Sequence, residues 1–238
     1  RLYSYATAIA HEAGYNNVGT VEFLVDGEGR VYFIEVNPRI QVEHTVTEMV
    51  TGIDLIKTQL YIASGYRLTD PQVGLGDQEA IPLNGYAIQC RITTEDPSDG
   101  FKPDYGTIIT YRNAAGFGVR LDEGSAYPGM KVSPFFDSML AKVSTHGNTL
   151  EEAAKRMDRA LREFRIRGVK NNIGFLENLV THPVFLSGRA TVGFIAMHPE
   201  LFKSAGRQDR GTKLLAFLGE LSVNGNPDTK GKPKPPKL

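Results

Sequence analysis

The sequence predicts an α+β fold, in which a β-hairpin lies among helices and a region of short, mostly antiparallel strands follows. β-Branched and aromatic residues dominate segments 20–25 and 30–36, and the turn-forming run 26–29 separates these two strands. Short apolar segments then recur between glycine- and proline-containing turns, at 85–92, 106–111, 118–121 and 138–146. Helical spacing of apolar residues before and after these strands completes the prediction.

Apolar spacing defines the predicted helices, and capping residues define several of their ends. The first helix keeps its spacing from Leu2 and ends near Gly14, because a helix C-terminus favours a residue that tolerates positive φ. Segment 47–64 is predicted to be helical, with Gly52 interrupting it and Asp54 able to cap its second part. Three later helices, the first opened by a capping box at Thr149, are predicted at 149–164, 172–181 and 212–223.

The composition excludes several classes of protein. With 238 residues, of which 41% are apolar, the chain can bury a sizeable core and is not a disordered protein. Lys plus Arg equals Asp plus Glu at 27 each, so no overall charge attracts nucleic acid or a membrane surface. Cys90 is the single cysteine, which excludes an intrachain disulfide and fits a reducing compartment. No apolar run approaches the roughly 20 residues that span a bilayer.

Both ends of the sequence indicate a segment of a longer protein. The residues from Arg1 onward have helical spacing but neither an initiating Met nor a cap. Segment 224–238 is rich in Pro, Gly and Lys, a composition typical of a solvated linker. We therefore expect further chain on both sides.

Two acidic residues of the predicted hairpin indicate a metal site. A loop of two or four residues within 26–29 places Glu22 opposite Phe33, and Glu35 shares that face on the diagonal. Carboxylates at such positions, with Asn37 continuing the same side, lie within reach of one ion. Hard oxygen donors suit Mg²⁺ or Mn²⁺ bound together with nucleotide phosphates, although acids in a hairpin can also simply decorate a solvated face.

The residues that follow this hairpin suggest an oxyanion site. Arg39, Gln41 and Glu43 recur at strand spacing and are expected to project to one side. Arginine offers paired donors to a planar oxyanion, and a nearby glutamate can accept a proton. This trio suits a small carbonate-like substrate.

These residues belong to motifs that closely resemble the biotin carboxylase domain of biotin-dependent carboxylases. The two motifs that contain them are Gly19-Thr20-Val21-Glu22-Phe23 and Phe33-Ile34-Glu35-Val36-Asn37-Pro38-Arg39-Ile40-Gln41-Val42-Glu43-His44-Thr45-Val46-Thr47-Glu48. Further motifs follow in family order: Gln89-Cys90-Arg91-Ile92-Thr93-Thr94-Glu95-Asp96-Pro97, Gly116-Phe117-Gly118-Val119-Arg120, Phe136-Asp137-Ser138-Met139 and Gly168-Val169-Lys170-Asn171-Asn172. The resemblance covers residues 1–205, and segment 185–225 is most similar to the pyruvate carboxylases of this family.

The resemblance implies a domain organisation and an activity. Residues 1–65 correspond to the C-terminal part of an ATP-grasp domain, 66–205 to the biotin carboxylase C-terminal domain, and 206–238 to a helix and linker toward a carboxyltransferase domain. The implied reaction is ATP-dependent carboxylation of biotin by bicarbonate, within an enzyme that converts pyruvate to oxaloacetate. The biotin carboxylase subunit of an acetyl-CoA or propionyl-CoA carboxylase is an alternative. A noncatalytic dimerisation or carrier-docking module is another, since the family's glycine-rich phosphate loop lies before this region and the segment alone is expected to be inactive.

The resemblance also implies roles for individual residues. The metal ions are expected on Glu22, Glu35 and Asn37, and ATP on Glu22, Leu24 and Glu35. Bicarbonate is expected on Arg39, Gln41 and the backbone amide of Val42, with Glu43 as the base that removes its proton. Biotin is expected near Arg91, which stabilises the ureido oxygen, and Asp137 either supports this substrate site or belongs to a turn.

The implied cofactors are ATP, Mg²⁺ or Mn²⁺, and biotin carried on a domain outside this chain. The implied partners are bicarbonate, the biotinylated carrier domain, a carboxyltransferase domain and further copies of the chain in a homo-oligomer, but no nucleic acid and no membrane. The expected compartment is the cytoplasm, or the mitochondrial matrix in a eukaryote.

Overall fold

The computed structural model describes residues 1–124, 126–203 and 210–225, and it confirms the α+β class. The first part of the chain contains α1 (Leu2–Glu12), β1 (Thr20–Val25), β2 (Val31–Asn37), α2 (His44–Thr51) and α3 (Leu55–Ala63). The strands that follow are β3 (Tyr86–Thr93), β4 (Glu95–Asp96), β5 (Lys102–Pro103), β6 (Gly106–Thr107), β7 (Thr110–Arg112), β8 (Val119–Glu123), β9 (Lys131–Val132), β10 (Met139–Gly147) and β11 (Arg165–Arg167). The later helices are α4 (Leu150–Glu163), α5 (Ile173–Thr181), α6 (Pro183–Leu186), α7 (Phe194–Met197) and α8 (Arg210–Asn224), with short 3₁₀ turns at Pro97–Asp99 and Pro199–Phe202.

The hairpin loop is longer than the sequence argument assumed. Val25 pairs with Val31, so five residues, 26–30, form the loop. Asp26 stabilises it, because its Oδ1 accepts hydrogen bonds from the backbone N–H groups of Glu28 at 3.0 Å and Arg30 at 2.9 Å. An odd number of loop residues shifts the pairing by one position from the predicted register.

A β-bulge then shifts the hairpin pairing a second time. Between Glu22 and Phe23 the register changes, and Ile34 is the extra residue on β2. Glu22 consequently pairs directly with Glu35, while Phe23 pairs with Phe33. The predicted opposition of Glu22 and Phe33 was wrong, because neither an odd loop nor a bulge could be read from the pattern of side chains.

Several helix ends lie where local chemistry predicted them. The segment expected to be helical from 47 to 64 is divided into α2 and α3 at Gly52, whose φ is +73°. Asp54 caps α3 by accepting from the N–H of Lys57 at 2.7 Å, and Thr149 caps α4 by accepting from the N–H of Glu152 at 3.1 Å. The helix predicted at 212–223 is present within α8, whereas the linker predicted beyond it lies, from 226 onward, outside the described residues.

The segment predicted as one strand at 106–111 is divided between two small sheets. β6 pairs with β9, whereas β7 pairs with β11. The change of partner occurs between Ile108, whose N–H donates to the carbonyl of Met130 at 2.9 Å, and Ile109, whose N–H donates to the carbonyl of Arg167 at 2.7 Å. A continuous run of strand-forming residues therefore did not reveal where its hydrogen-bonding partner changes.

The largest sheet of the described part has the order β3-β10-β8, with antiparallel pairing throughout. Its apolar face packs on α4, and the fully buried side chains there include Ile92, Val143, Met157 and Leu161. Cys90 is buried on the same face, and this burial raises the pKa of its thiol to about 12, so the thiol is inert. The opposite face presents a row of polar side chains toward α2. They are Gln89 and Arg91 on β3, Lys142 and Ser144 on β10, and Arg120 and Asp122 on β8.

The core of buried apolar residues extends from Ile88 to Leu201. It therefore falls within the predicted second domain, but the domain boundaries at 65 and 205 stay predictions. Within the described residues, no helix has both the length and the apolar character to cross a membrane.

The ion pair of Asp96 with Lys170 predicts acid sensitivity. Asp96 accepts hydrogen bonds from the ammonium of Lys170 and from the Ser98 hydroxyl at 2.6 Å, and these interactions lower its carboxyl pKa to about 2. Because the folded-state pKa is lower than the unfolded value, this contribution to stability is present above about pH 4 and is lost as the pH falls toward 2. Thermal unfolding measured from pH 6 to 2 should show a smaller acid-induced loss of Tm in Asp96→Asn than in the wild type. The exposed Glu79→Gln serves as control, and parallel curves for wild type and Asp96→Asn would contradict the assignment.

Candidate functional site

The bulge brings two carboxylates together on one side of the hairpin. The amide nitrogen of Asn37 donates to Oε1 of Glu35 at 2.8 Å and to Oε1 of Glu22 at 3.0 Å. The amide of Gln41 donates to the same Glu22 oxygen at 2.7 Å. The structure thus gathers at one point the three residues proposed as metal ligands, together with a residue proposed for bicarbonate.

The donor set fits a hard divalent cation. Two carboxylates on paired positions repel each other, and in the described part of the chain neither Glu22 nor Glu35 forms an ion pair with a basic side chain. Only amide N–H groups face them, and rotation of the Asn37 amide by 180° would present its oxygen instead. Carboxylate and amide oxygens are the ligands that Mg²⁺ and Mn²⁺ prefer.

Segment 39–43, which we call the strap, leads from the hairpin to α2. It is not a strand: the N–H of Arg39 donates to the carbonyl of Asn37 at 2.8 Å, and the N–H of His44 donates to that of Gln41 at 3.2 Å. The strand spacing inferred for Arg39, Gln41 and Glu43 was therefore wrong. Arg39 and Gln41 nevertheless contact the group of Glu22, Glu35 and Asn37, which we call the acidic cluster.

Arg39 and Gln41 both lie against the acidic cluster. The exposed guanidinium of Arg39 lies 3.4 Å from Oδ1 of Asn37. It also donates to the carbonyl of Ile40 at 3.1 Å. Gln41 donates through its nitrogen, but its Oε1 is buried without a hydrogen-bond partner. A buried acceptor without a partner is unfavourable, so this oxygen marks a place where a donor is required.

Glu43 of the strap forms an ion pair with Arg91, which lies on β3 of the largest described sheet. Their Oε2 and Nη2 atoms are 2.8 Å apart, and each side chain is 50% exposed. The proposed base and the proposed biotin-stabilising group are therefore in contact, although 48 residues separate them in sequence. An ion pair this exposed contributes only about 0–1 kcal/mol, so an entering anion can displace it at small cost.

Comparison with known proteins identifies the family that this chain resembles. Residues 1–70 match the ATP-binding domain of the carbamoyl-phosphate synthase L chain, and residues 89–197 match the biotin carboxylase C-terminal domain. Pyruvate carboxylase of Staphylococcus aureus is 51% identical over 235 residues, which is 99% of this chain and 20% of that protein. The chain belongs to the biotin carboxylase family.

Solved structures of this family show the same fold. Rhizobium etli pyruvate carboxylase, crystallised with acetyl coenzyme A, superposes with a TM-score of 0.84 at 53% identity, over 98% of this chain and 23% of that one. The biotin carboxylase domain dimer of Hydrogenobacter thermophilus 2-oxoglutarate carboxylase, in complex with MgADP, ADP and bicarbonate, superposes with a TM-score of 0.79 at 43% identity, over 85% of this chain and 43% of that one. The chain spans about a fifth of the length of the pyruvate carboxylases that it matches.

Two residues of this biotin carboxylase segment near the strap were missed by the sequence argument. Lys142 lies on β10, in register with Arg91 on β3, and its Nζ donates to the carbonyl of Val42 at 3.1 Å. The same Nζ lies 3.0 Å from Nε2 of His44. Burial is the main cause that lowers the pKa of the Lys142 ammonium. The one available signal was a lysine inside an otherwise buried strand.

α2 is attached to the polar face of the sheet by buried contacts. The hydroxyl of Thr45 lies 2.7 Å from that of Ser144 and donates to Oε1 of Gln89 at 2.8 Å. Glu48 is buried and bridges two elements, since Oε2 accepts from Arg120 at 2.5 Å and Oε1 accepts from the N–H of Leu55 at 2.7 Å. Removing one member of such a buried charged pair is strongly destabilising, so these contacts fix the position of α2.

Two other proposed site residues form no side-chain hydrogen bond or ion pair with this cluster in the described part of the chain. Oδ1 of Asp137 accepts from the N–H of Met139 at 2.8 Å, which is a local turn contact, and the residue is exposed. Leu24 is 43% exposed and pairs with Tyr32 in the hairpin. Their roles in binding substrate and ATP stay predictions.

A separate group of His182, His198 and Glu200 is held by hydrogen bonds. Oε1 of Glu200 lies 2.7 Å from Nδ1 of His198 and 3.4 Å from Nε2 of His182. Because Nδ1 of His182 accepts from the N–H of Val184 at 3.2 Å, the proton of its neutral ring is on Nε2, where a metal would have to bind. We assign this group a structural role, in which the hydrogen bond from His198 is the main cause that lowers the pKa of Glu200.

The hairpin carboxylates predict a specific loss of metal affinity. Glu35→Gln, introduced into the complete carboxylase, removes one anionic oxygen donor and should raise the Kd for Mn²⁺ in the presence of ATP about tenfold or more. Electron paramagnetic resonance of free Mn²⁺ measures this directly. Glu28→Gln, in the loop of the same hairpin, is the matched control and should leave the Kd unchanged. Equal affinities for Glu35→Gln and wild type would exclude Glu35 as a ligand.

Proposed function

We propose that this chain supplies metal-binding, bicarbonate-binding and base groups for the ATP-dependent carboxylation of biotin in a pyruvate carboxylase. One observation carries the proposal. The strap joins the acidic cluster to the sheet, because Gln41 contacts Glu22 at 2.7 Å at one end and Glu43 contacts Arg91 at 2.8 Å at the other. Groups that suit a metal nucleotide and groups that suit a one-carbon anion are therefore adjacent.

The acidic cluster would hold the metal. Glu22 and Glu35 supply two anionic oxygens, and Asn37 supplies an amide oxygen once its side chain rotates. A bound Mg²⁺ or Mn²⁺ would neutralise the charge of the ATP phosphates during phosphoryl transfer. The exposed Leu24 on β1 is proposed to contact ATP through its apolar side chain.

The strap would bind and activate bicarbonate. Arg39 offers paired donors to the planar anion, and Gln41 and the backbone amide of Val42 complete the contact. Glu43 then removes the bicarbonate proton, so that the resulting oxyanion attacks the γ-phosphate of ATP and gives carboxyphosphate. Its carboxylate lies 2.8 Å from the Arg91 guanidinium, which keeps the proposed base beside the proposed biotin site.

Arg91 would act in the second half of the reaction. Biotin, carried on another domain, supplies the nitrogen that becomes carboxylated. The Arg91 guanidinium lies at the edge of the site and can stabilise the negative charge that develops on the ureido oxygen. Asp137 is proposed to line the same substrate site.

The acceptor and the partners depend on chain outside this segment. Pyruvate as acceptor is supported by relatives of 51–53% identity that match 99–100% of the chain. The 2-oxoglutarate carboxylase domain has the same fold at 43% identity, so the fold of this segment does not choose the acceptor. We propose a biotinylated carrier domain, a carboxyltransferase domain and homo-oligomerisation as partners, and the cytoplasm or the mitochondrial matrix as compartment.

Replacement of the proposed base tests the function. Glu43→Gln in the complete carboxylase removes the proton acceptor while keeping the size of the side chain, so bicarbonate-dependent ATP cleavage should fall by about 10²-fold or more. Binding of metal-ATP, measured by calorimetry, should persist. The exposed Glu12→Gln is the control. Undiminished turnover would remove Glu43 from this role, and a wild type without bicarbonate-dependent cleavage would favour a noncatalytic module.

Replacement of Arg91 separates the two half-reactions. Arg91→Lys keeps the positive charge but loses the planar pair of donors, so carboxybiotin formation should fall by about tenfold or more. ATP cleavage that depends on bicarbonate alone should fall less. Arg112→Lys, another exposed arginine on a strand, is the matched control, and an equal loss in both assays would show that Arg91 acts earlier than proposed.

A further inference from the structure

The ammonium group of Lys142 contacts the residues on both sides of the proposed base, one in the strap and one at the start of α2. Its Nζ donates to the carbonyl of Val42 at 3.1 Å and lies 3.0 Å from Nε2 of His44. Val42 and His44 are the residues immediately before and after Glu43. One side chain therefore contacts both neighbours of the base, through the backbone carbonyl of Val42 and the imidazole of His44.

Lys142 lies on the central strand of the largest described sheet. It lies at the centre of β10, between its register partners Arg91 on β3 and Asp122 on β8. The adjacent Ala141 and Val143 are buried on the opposite face, against the core. The position of the ammonium is thus set by the sheet, and not by the strap that it binds.

A tautomer of His44 agrees with this arrangement. Lys142 donates to Nε2, so the ring proton lies on Nδ1, which is 3.0 Å from Oε2 of the buried Glu48. The two atoms are close, but they are not aligned for a hydrogen bond, and Nδ1 is buried without a hydrogen-bond partner. The imidazole is therefore directed by Lys142 on one side and by Glu48 on the other.

A purely structural role does not account for these contacts. Burial lowers the pKa of the ammonium; the charges of Asp122 and Glu48 oppose this shift, and those of Arg120 and Arg91 add to it, so burial is what makes the position unfavourable for a cation. The attachment of α2 to the sheet is already provided by Thr45 through Gln89 and Ser144. What Lys142 adds is a contact with the backbone next to Glu43.

We propose that Lys142 is a positioning residue for bicarbonate activation, which holds the strap so that the Glu43 carboxylate faces the bound bicarbonate and Arg91. The proposal rests on the function proposed above. Alignment of a base to within a fraction of an ångström is what such a supporting contact provides. Lys142 contacts neither substrate nor metal in this role.

The test compares Lys142→Met and Lys142→Arg in the complete carboxylase, with the exposed Lys131→Met as matched control. We expect Lys142→Met to lower kcat/KM for bicarbonate in the ATP cleavage assay about tenfold or more, because a charge-assisted hydrogen bond is lost. KM for metal-ATP should stay within about twofold, since the acidic cluster does not contact Lys142. Lys142→Arg should recover part of the loss, because a guanidinium can donate to both the Val42 carbonyl and His44.

Hydrogen exchange provides a second measurement that needs no activity. Amides of segment 42–46 should exchange faster in both Lys142 variants than in Lys131→Met, with the larger effect in Lys142→Met. Unchanged kcat/KM for bicarbonate, or unchanged exchange of segment 42–46, in a folded Lys142→Met would overturn the proposal. If the wild type lacks bicarbonate-dependent cleavage, the proposed function fails, and the exchange data still decide whether Lys142 holds the strap.

Discussion

The repulsion between two paired carboxylates is the constraint on which the rest of this site depends. Glu22 and Glu35 occupy directly opposite positions in the hairpin, and like charges so placed destabilise a sheet. The described structure surrounds them with amide donors from Asn37 and Gln41 but with no basic partner. Amides can orient the carboxylate oxygens of Glu22 and Glu35 without neutralising their charge, so the arrangement suits a divalent cation.

The β-bulge separates the acidic and the aromatic side chains of the hairpin onto opposite faces. With Ile34 accommodated as an extra residue, Glu22 and Glu35 converge on one face while Phe23 and Phe33 pair on the other, with ring centroids 6.3 Å apart. Tyr5 of α1 lies 6.3 Å from the Phe23 ring, so the aromatic face is the one that connects the hairpin to the first helix. Local irregularity in the strand thus places the charges and the packing on separate sides.

The sheet β3-β10-β8 holds the residues that contact the strap. Its apolar face is buried against α4, and this large core fixes the backbone of β3 and β10. Its polar face carries Arg91 and Lys142 in adjacent register, directed at the strap. A half-exposed ion pair such as Glu43 with Arg91 is easily exchanged for substrate, whereas the buried Glu48 contact with Arg120 is not. The weak contact therefore lies where we propose that substrate binds, and the stronger one holds α2 on the sheet.

The sequence by itself determined several helix ends and the candidate residues of the site. Capping by Asp54 and Thr149 and the break at Gly52 follow from interactions between near neighbours, and such interactions are readable from spacing. Tertiary structure alone decided the hairpin register, the division of segment 106–111 between two sheets, and the meeting of Glu43 with Arg91 and of Lys142 with the strap. These features depend on loop length, on a bulge and on pairing between segments 48 to 100 residues apart, for which no periodicity in the sequence encodes the partner.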